Sequence, residues 1–194
     1  LEDGPKEYEA TIKLGEETTT DDFTGEVVFR GSWEGVTHGK IHVVFQTFLG
    51  NIQQIPPMFS AIKIQGKPLY RLARRGIEIE RKKRGVTVFN IEIEKISLPQ
   101  ILFRVSCSKG TYIRTLGRDI GRKIGCGAHL LRLRRIRSGP FALEQAISWE
   151  NLIHLDKVHS LQPWLISLEE ALPSLPEVIG DEQLVRKVLS LIHI

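Results

Sequence analysis

The strongest constraint on the fold lies mid-chain, where Val86 to Leu98 runs VTVFNIEIEKISL. Stretches of this run alternate apolar and polar residues with a period of two, which sets one group of side chains on each face of an extended strand. Ile101 to Cys107 follows as a second strand. The pattern then switches. From Thr111 onward, Ile113, Leu116, Ile120 and Ile124 recur at helical spacing, with Gly125 as a stop. Ala128 to Arg135 reads as a short basic element, followed by a turn at Ser138-Gly139-Pro140. Nearer the N-terminus, Tyr8 to Leu14 alternates as a strand ending at Gly15. EETTTDDFTGE is loop-like, with a turn at Thr24-Gly25, and Val27, Val28 and Phe29 start another strand. Strands and helices mingle without regular β-α-β alternation, which predicts an α+β fold rather than a doubly wound one.

Other segments are less decisive. His38 to Leu49 fits a short helix or a strand, and Pro56-Pro57 breaks whatever precedes it. Ile62, Ile64 and Gly66-Lys67-Pro68 suggest a hairpin, and Leu69 to Arg75 a helix closed by Gly76. Leu143 to Leu152 is expected to be helical, with Ser148 as a second start, and Leu168 to Leu172 likewise. Pro163, Pro173 and Pro176 loosen the segment after residue 155, which reads as a linker into a second domain. A chain of 194 residues with 41% hydrophobic content can hold one domain and the start of another. The expected boundaries are 1–154 and 155–188.

No apolar run approaches the ~20 residues that span a bilayer, and no secretory signal is visible. Cys107 and Cys126 are too few for a disulfide scaffold, and packing is the expected role of both. A reducing, cytoplasmic setting is therefore expected. The chain opens at Leu1 rather than Met, so a missing N-terminus is expected. Residues 189–194, LSLIHI, match one reading frame of a common transposase adapter and are expected to be non-native.

Charge falls in blocks. Residues 1–30 carry three basic and nine acidic side chains; residues 61–84 carry nine basic and two acidic; residues 104–137 carry ten basic against Asp119 alone. Two basic runs with so few compensating acids point to a polyanion, and nucleic acid fits better than a membrane surface because neither run has a clean apolar face.

The residues alone offer little catalysis. No phosphate-binding or dinucleotide-binding loop occurs. Cys126-x-x-His129 fits core packing better than metal ligation, and no metal site is expected. Asp21 and Asp22 read as turn residues. Asp119 is expected to pair with Arg122 or Lys123 on a helix. Tyr112 and Arg114 alternate in SKGTYIRTL; if extended, both side chains share one face. That pair could hold an unstacked base, or be a surface tyrosine beside a phosphate-binding arginine.

Three segments carry a resemblance. SCSKGTYIRTLGRDIG with GCGAHLLRLRRIRSGPF, KEYEATIKLGEETTTDD, and IPPMFSAIKIQGKPLYRLARRGIEIER are similar, in order and spacing, to the bacterial tRNA pseudouridine synthase B family. The matching stretch covers about residues 5–150. The resemblance implies a mixed, mainly antiparallel sheet with flanking helices and an inserted RNA-binding thumb over about residues 55–84. It implies tRNA pseudouridine(55) synthase activity: a T-loop uridine of tRNA is flipped out and isomerised without metal or organic cofactor. No obligate protein partner is implied.

By position, Tyr8 resembles the aromatic that stacks on the flipped base. Arg114 resembles the arginine that pairs with the catalytic Asp, Tyr112 the tyrosine beside it, and Leu133 an apolar wall residue. Lys63, Lys67, Arg71, Arg74 and Arg75 are expected to contact phosphates, on charge more than on motif. The family's Asp belongs to a Gly-x-Leu-Asp-Pro type segment that does not occur here, so the chain alone is expected to be inactive and to expose apolar surface. Two other functions compete: a non-catalytic tRNA-binding or tRNA-folding module, and a guide-dependent synthase acting on another RNA. The bacterial style of the thumb segment weighs against the latter.

Overall fold

The computed structural model describes residues 4–64, 66–155, 158–172, 175 and 180–191. It divides into two compact units, residues 1–146 and 147–194.

Among the described residues the first unit holds ten strands and three α-helices: β1 (Lys6–Leu14), β2 (Glu16–Thr18), β3 (Val27–Arg30), α1 (His38–Gln46), β4 (Gly50–Gln54), β5 (Lys63–Ile64), β6 (Lys67–Pro68), α2 (Leu69–Ala73), β7 (Arg84–Ser97), β8 (Gln100–Cys107), α3 (Ile113–Ile124), β9 (Ala128–Ser138) and β10 (Phe141–Ala142). Six strands form one sheet in the order β10-β9-β1-β8-β7-β4, every neighbouring pair antiparallel. The α+β expectation holds. Small two-stranded sheets, β2-β3 and β5-β6, stand beside it.

The period-two pattern decides which face is covered. Ala10, Ile12 and Leu14 of β1 share a buried face with Ile101, Phe103, Val105 and Cys107 of β8, and α1 and α3 pack into the same core. Phe45 of α1 meets Phe103 edge-to-face at 5.3 Å between ring centroids, a contact that adds about 0.5–1.5 kcal/mol beyond area burial. Apart from Leu102, the residues that alternate with these are polar. Arg104 of β8 lies 2.9 Å from Glu94 of β7 and 3.9 Å from Glu9 of β1, linking three strands.

His38 to Leu49 resolves as a helix. Ile41, Val44 and Phe45 are the buried residues, at spacings of three and four, and the Thr37 hydroxyl caps the first turn by accepting from the Lys40 amide. The basic element after Gly127 is longer than expected: β9 is an 11-residue strand bearing two register shifts against β1. Between β4 and β7, the chain carries the β5-β6 hairpin and the short helix α2, as the hairpin and helix readings of Ile62 to Arg75 expect.

The second unit contains α4 (Trp149–Ile153), α5 (Leu168–Ala171) and α6 (Glu182–Leu191), with a 3₁₀ turn over Val158–Trp164 that includes Pro163. The single helix expected over Leu143 to Leu152 does not form. A 3₁₀ turn covers Leu143–Gln145, Ala146 is extended, and Ser148 caps α4 by accepting from the Asn151 amide. Extended backbone at Ala146 breaks the hydrogen-bond run, so the second start is the one used. Ser167 and Glu170 close a capping box on α5. Residues 189–191 end α6, whereas 192–194, Pro173, Pro176 and residues 1–3 lie outside the described residues.

Candidate active site

Helix α3 organises the site. Its apolar stripe of Ile113, Leu116, Ile120 and Ile124 is buried, and Gly125 ends it in the left-handed conformation, φ 102°, with its amide on the Gly121 carbonyl. Two glycines set how closely the helix lies on the sheet. A Cβ on Gly117 would sit 2.7 Å from the Ile12 side chain, and one on Gly121 would sit 2.2 Å from the Ala128 nitrogen.

These contacts fix the register of helix on sheet. Ala128 pairs with Leu14 of β1, so the step from Gly121 to Gly117 follows the step from Leu14 to Ile12. Leu133 is the β9 partner of Ala10, and Arg135 is the partner of Tyr8. Tyr8 and Leu133 thus lie on neighbouring strands two pairings apart, whereas Tyr112 is bonded to Gln54 and Arg114 to Asp22, Thr20 and Phe59.

Each of these residues has a distinct setting. Tyr8 is half-buried, with the Arg135 guanidinium 5.5 Å from its ring centroid. Burial pushes the Tyr8 hydroxyl pKa up, against the opposing pull of Arg135. Leu133 is 46% exposed, an apolar side chain open to a ligand. Tyr112 is extended and precedes the helix, while Arg114 lies in its first turn, so the two do not alternate along one strand as the extended reading required.

Arg114 is held by three acceptors. Nη1 donates to Asp22 Oδ2 at 3.0 Å and to the Thr20 carbonyl at 3.4 Å, and Nη2 donates to the Phe59 carbonyl at 2.8 Å. A guanidinium has five N–H donors, so two remain beyond these bonds. Asp22 is occupied as well. Its Oδ1 accepts from the Thr20 hydroxyl, the Thr24 hydroxyl and the Thr24 amide, at 2.7, 2.5 and 3.0 Å. Burial raises the Asp22 pKa, but these bonds and Arg114 outweigh it and hold the carboxyl below its ordinary value.

The same helix face repeats the motif. Arg118, one turn on, donates to Asp21 at 3.0 Å and to Asp119 at 2.9 Å, and Arg122 donates to Glu17 at 2.6 Å. Arginines spaced by four therefore meet the acidic loop after β1 step by step. Asp21, at φ 63°, is a turn residue as expected, yet it and Asp22 are also ion-pair partners, which sequence reasoning missed. Asp119 pairs with its neighbour Arg118 rather than with Arg122 or Lys123. The loop itself is fastened to β9 by the Phe23 amide on the Leu130 carbonyl and the Leu130 amide on the Asp21 carbonyl.

This zipper changes the meaning of the second basic block. Arg104, Arg114, Arg118, Arg122 and Arg137 are all paired with carboxylates of the acidic block at residues 1–30, and Arg104 also with Glu94. Part of the positive charge expected to face a polyanion is neutralised within the fold. The first basic block differs: Lys63, Lys67, Arg71, Arg74 and Arg75 are all exposed, and Arg74 lies over the Tyr70 ring. Cys126 and His129 are buried, and His129 Nδ1 lies 3.1 Å from the Glu16 carbonyl oxygen. Among the described residues no helix is long and apolar enough to cross a membrane.

Comparison with known proteins gives the family. Residues 1–113 match the N-terminal domain of the TruB family pseudouridylate synthases, and residues 114–173 match the tRNA pseudouridylate synthase B C-terminal domain. A tRNA pseudouridine synthase B of Geobacter sulfurreducens is 47% identical over 89% of this chain and 57% of its own length. One from Bordetella pertussis is 50% identical over 76% of this chain and 61% of its own. The chain thus spans about three fifths of the length of these relatives. Among solved structures, a chain of a Cbf5-Nop10-Gar1 complex superposes with a TM-score of 0.70 at 31% identity, over 97% of this chain and 49% of that one. By the family models and these relatives, the chain belongs to the TruB family of pseudouridylate synthases.

Proposed function

We propose that the protein containing this chain isomerises a uridine of the tRNA T-loop to pseudouridine. The observation that carries the reading is Arg114. It is fixed in the first turn of α3 by Asp22 and Phe59, with two donors left for a further carboxylate. In this reading the target base leaves its stack and lies on Tyr8, which offsets lost stacking by roughly 1–3 kcal/mol. Tyr112 and Leu133 bound the pocket. An Asp outside this chain acts at the sugar while Arg114 keeps it ionised. The bond from C1′ to N1 breaks, the ring turns, and C1′ joins C5. N1 gains a proton and C5 loses one, so the reaction balances as an isomerisation with no cofactor.

Asp22 is not that nucleophile in this reading, because its oxygens are already engaged by Thr20, Thr24 and Arg114. Lys63, Lys67, Arg71, Arg74 and Arg75 of the thumb contact T-arm phosphates, and residues 155–188 lead into a further RNA-binding domain. A tRNA substrate makes the cytoplasm the expected compartment. The test is to incubate the full-length protein with an unmodified tRNA transcript and map pseudouridine. One modified T-loop uridine is the expected result. Tight binding with no conversion would favour the binding-module alternative and overturn the enzyme reading.

A further inference from the structure

Gln54 is the last residue of β4, and its side chain is only 2% exposed, a rare position for a primary amide. Its Oε1 accepts from the Tyr112 amide at 3.1 Å, and its Nε2 donates to the Tyr112 carbonyl at 3.3 Å. One side chain thus grips both backbone groups of one residue across 58 positions of sequence. Tyr112 is the N-cap of α3 and makes no side-chain capping bond of its own, so the clamp stands where a Ser, Asp or Asn cap would otherwise help define the start of the helix.

The segment that follows reaches the same helix turn. Phe59, five residues beyond Gln54, offers its carbonyl to Arg114 Nη2 at 2.8 Å. Residues 54–59 therefore hold the start of α3 at two points, one on the backbone and one on the guanidinium. An amide suits the first point because it presents one acceptor and one donor together. A carboxylate would set a lone pair against the Tyr112 carbonyl, and an apolar side chain would leave the Tyr112 amide unpaired and its carbonyl with the Leu116 amide alone.

We infer that Gln54 is a positioning residue: it fixes Tyr112 and the first turn of α3, and so the aim of Arg114, without touching the reacting atoms. This rests on the proposed isomerase reading. The test uses full-length protein carrying Gln54→Glu or Gln54→Met, with single-turnover conversion and tRNA affinity measured separately. Misplacing a catalytic group by about 1 Å can cost about 100-fold in rate, so both variants should lose about 10- to 100-fold at about pH 8 while affinity stays within about threefold.

Gln54→Glu should then recover towards wild type as the pH falls to about 5.5, because a protonated carboxyl again offers one donor and one acceptor. Gln54→Met should not recover. Wild-type rates in Gln54→Glu at every pH would overturn the inference, as would equal losses of rate and affinity with no recovery in acid. If Gln54→Met does not fold, the pH response of Gln54→Glu still decides. Amide exchange provides a readout without turnover: the Tyr112 N–H should be protected in the wild type and in Gln54→Glu at low pH, and an unprotected wild-type amide would refute the clamp. A wild-type protein that makes no pseudouridine would sink the function reading, while the exchange data would still judge the clamp.

Discussion

Gly121→Ala tests the close approach of helix to sheet on which the site depends. The added Cβ would lie 2.2 Å from the Ala128 nitrogen, 2.4 Å from the Ala128 Cβ and 2.4 Å from the Gly127 carbonyl carbon. Ordinary contacts begin near 3.4 Å, and these neighbours are mostly backbone, so α3 and β9 must separate by about 1 Å or strain in place. Overpacking of this kind costs about 1–3 kcal/mol, and the upper end applies where backbone cannot yield. Alanine returns about 1 kcal/mol of helix propensity, leaving a net loss of about 2 kcal/mol. For a protein of this size that lowers the melting temperature by about 4–8 °C.

The same shift would stretch the Arg114 bonds of 2.8 and 3.0 Å towards 4 Å, past hydrogen-bonding range. Gly39→Ala in α1 is the control, because nothing lies within 4 Å of its added Cβ. It should be neutral, or stabilising by up to about 1 kcal/mol. Thermal and urea unfolding of full-length protein check both variants. A Gly121→Ala protein that melts at or above the wild type would refute the packing argument.

Three further outcomes follow from the charges and the core. Asp22 has a depressed folded pKa, so its contribution is present above the usual aspartate value of about 3.9 and is lost as pH falls through the folded value. Asp21 is raised by burial despite Arg118, so it favours the fold as pH falls through its folded value. Urea unfolding across acid pH should therefore lose the first effect in Asp22→Asn and the second in Asp21→Asn. Burial pushes the Cys107 thiol up to about 11, so alkylation in the native protein at neutral pH should be far slower than after unfolding, and rapid labelling would contradict its place in the core. Removing Arg71 or Arg74 should weaken tRNA binding and lower the salt-dependence slope by about one each, as expected for phosphate contacts, whereas an unchanged slope would remove the thumb from the RNA interface.

Local periodicity made much of the fold legible. Alternation marked β1, β7 and β8, and the spacing of Ile113, Leu116, Ile120 and Ile124 marked α3, because each pattern reports a face buried on one core. His38 to Leu49 stayed ambiguous because a nine-residue helix offers few turns of pattern, and its Thr37 cap is a single residue. The site was legible only through the family resemblance, which pointed to Tyr8, Tyr112, Arg114 and Leu133. Asp22, Asp21, Glu17 and Gln54 were missed because their partners lie 92, 97, 105 and 58 positions away, and no local rule spans such distances. One signal was available: the acidic block at residues 1–30 against the arginines spaced by four in α3. Charge totals in separate blocks concealed it.

The most direct measurement of the central claim compares wild-type and Arg114→Ala full-length protein on one tRNA, reading single-turnover pseudouridine formation and tRNA dissociation constant side by side. The account predicts that conversion is abolished while affinity changes far less, because Arg114 orients a carboxylate inside the pocket and the exposed thumb cations carry much of the phosphate binding. Loss of binding with no turnover in either protein would contradict it, and would leave Arg114 as a phosphate contact in an RNA-binding module.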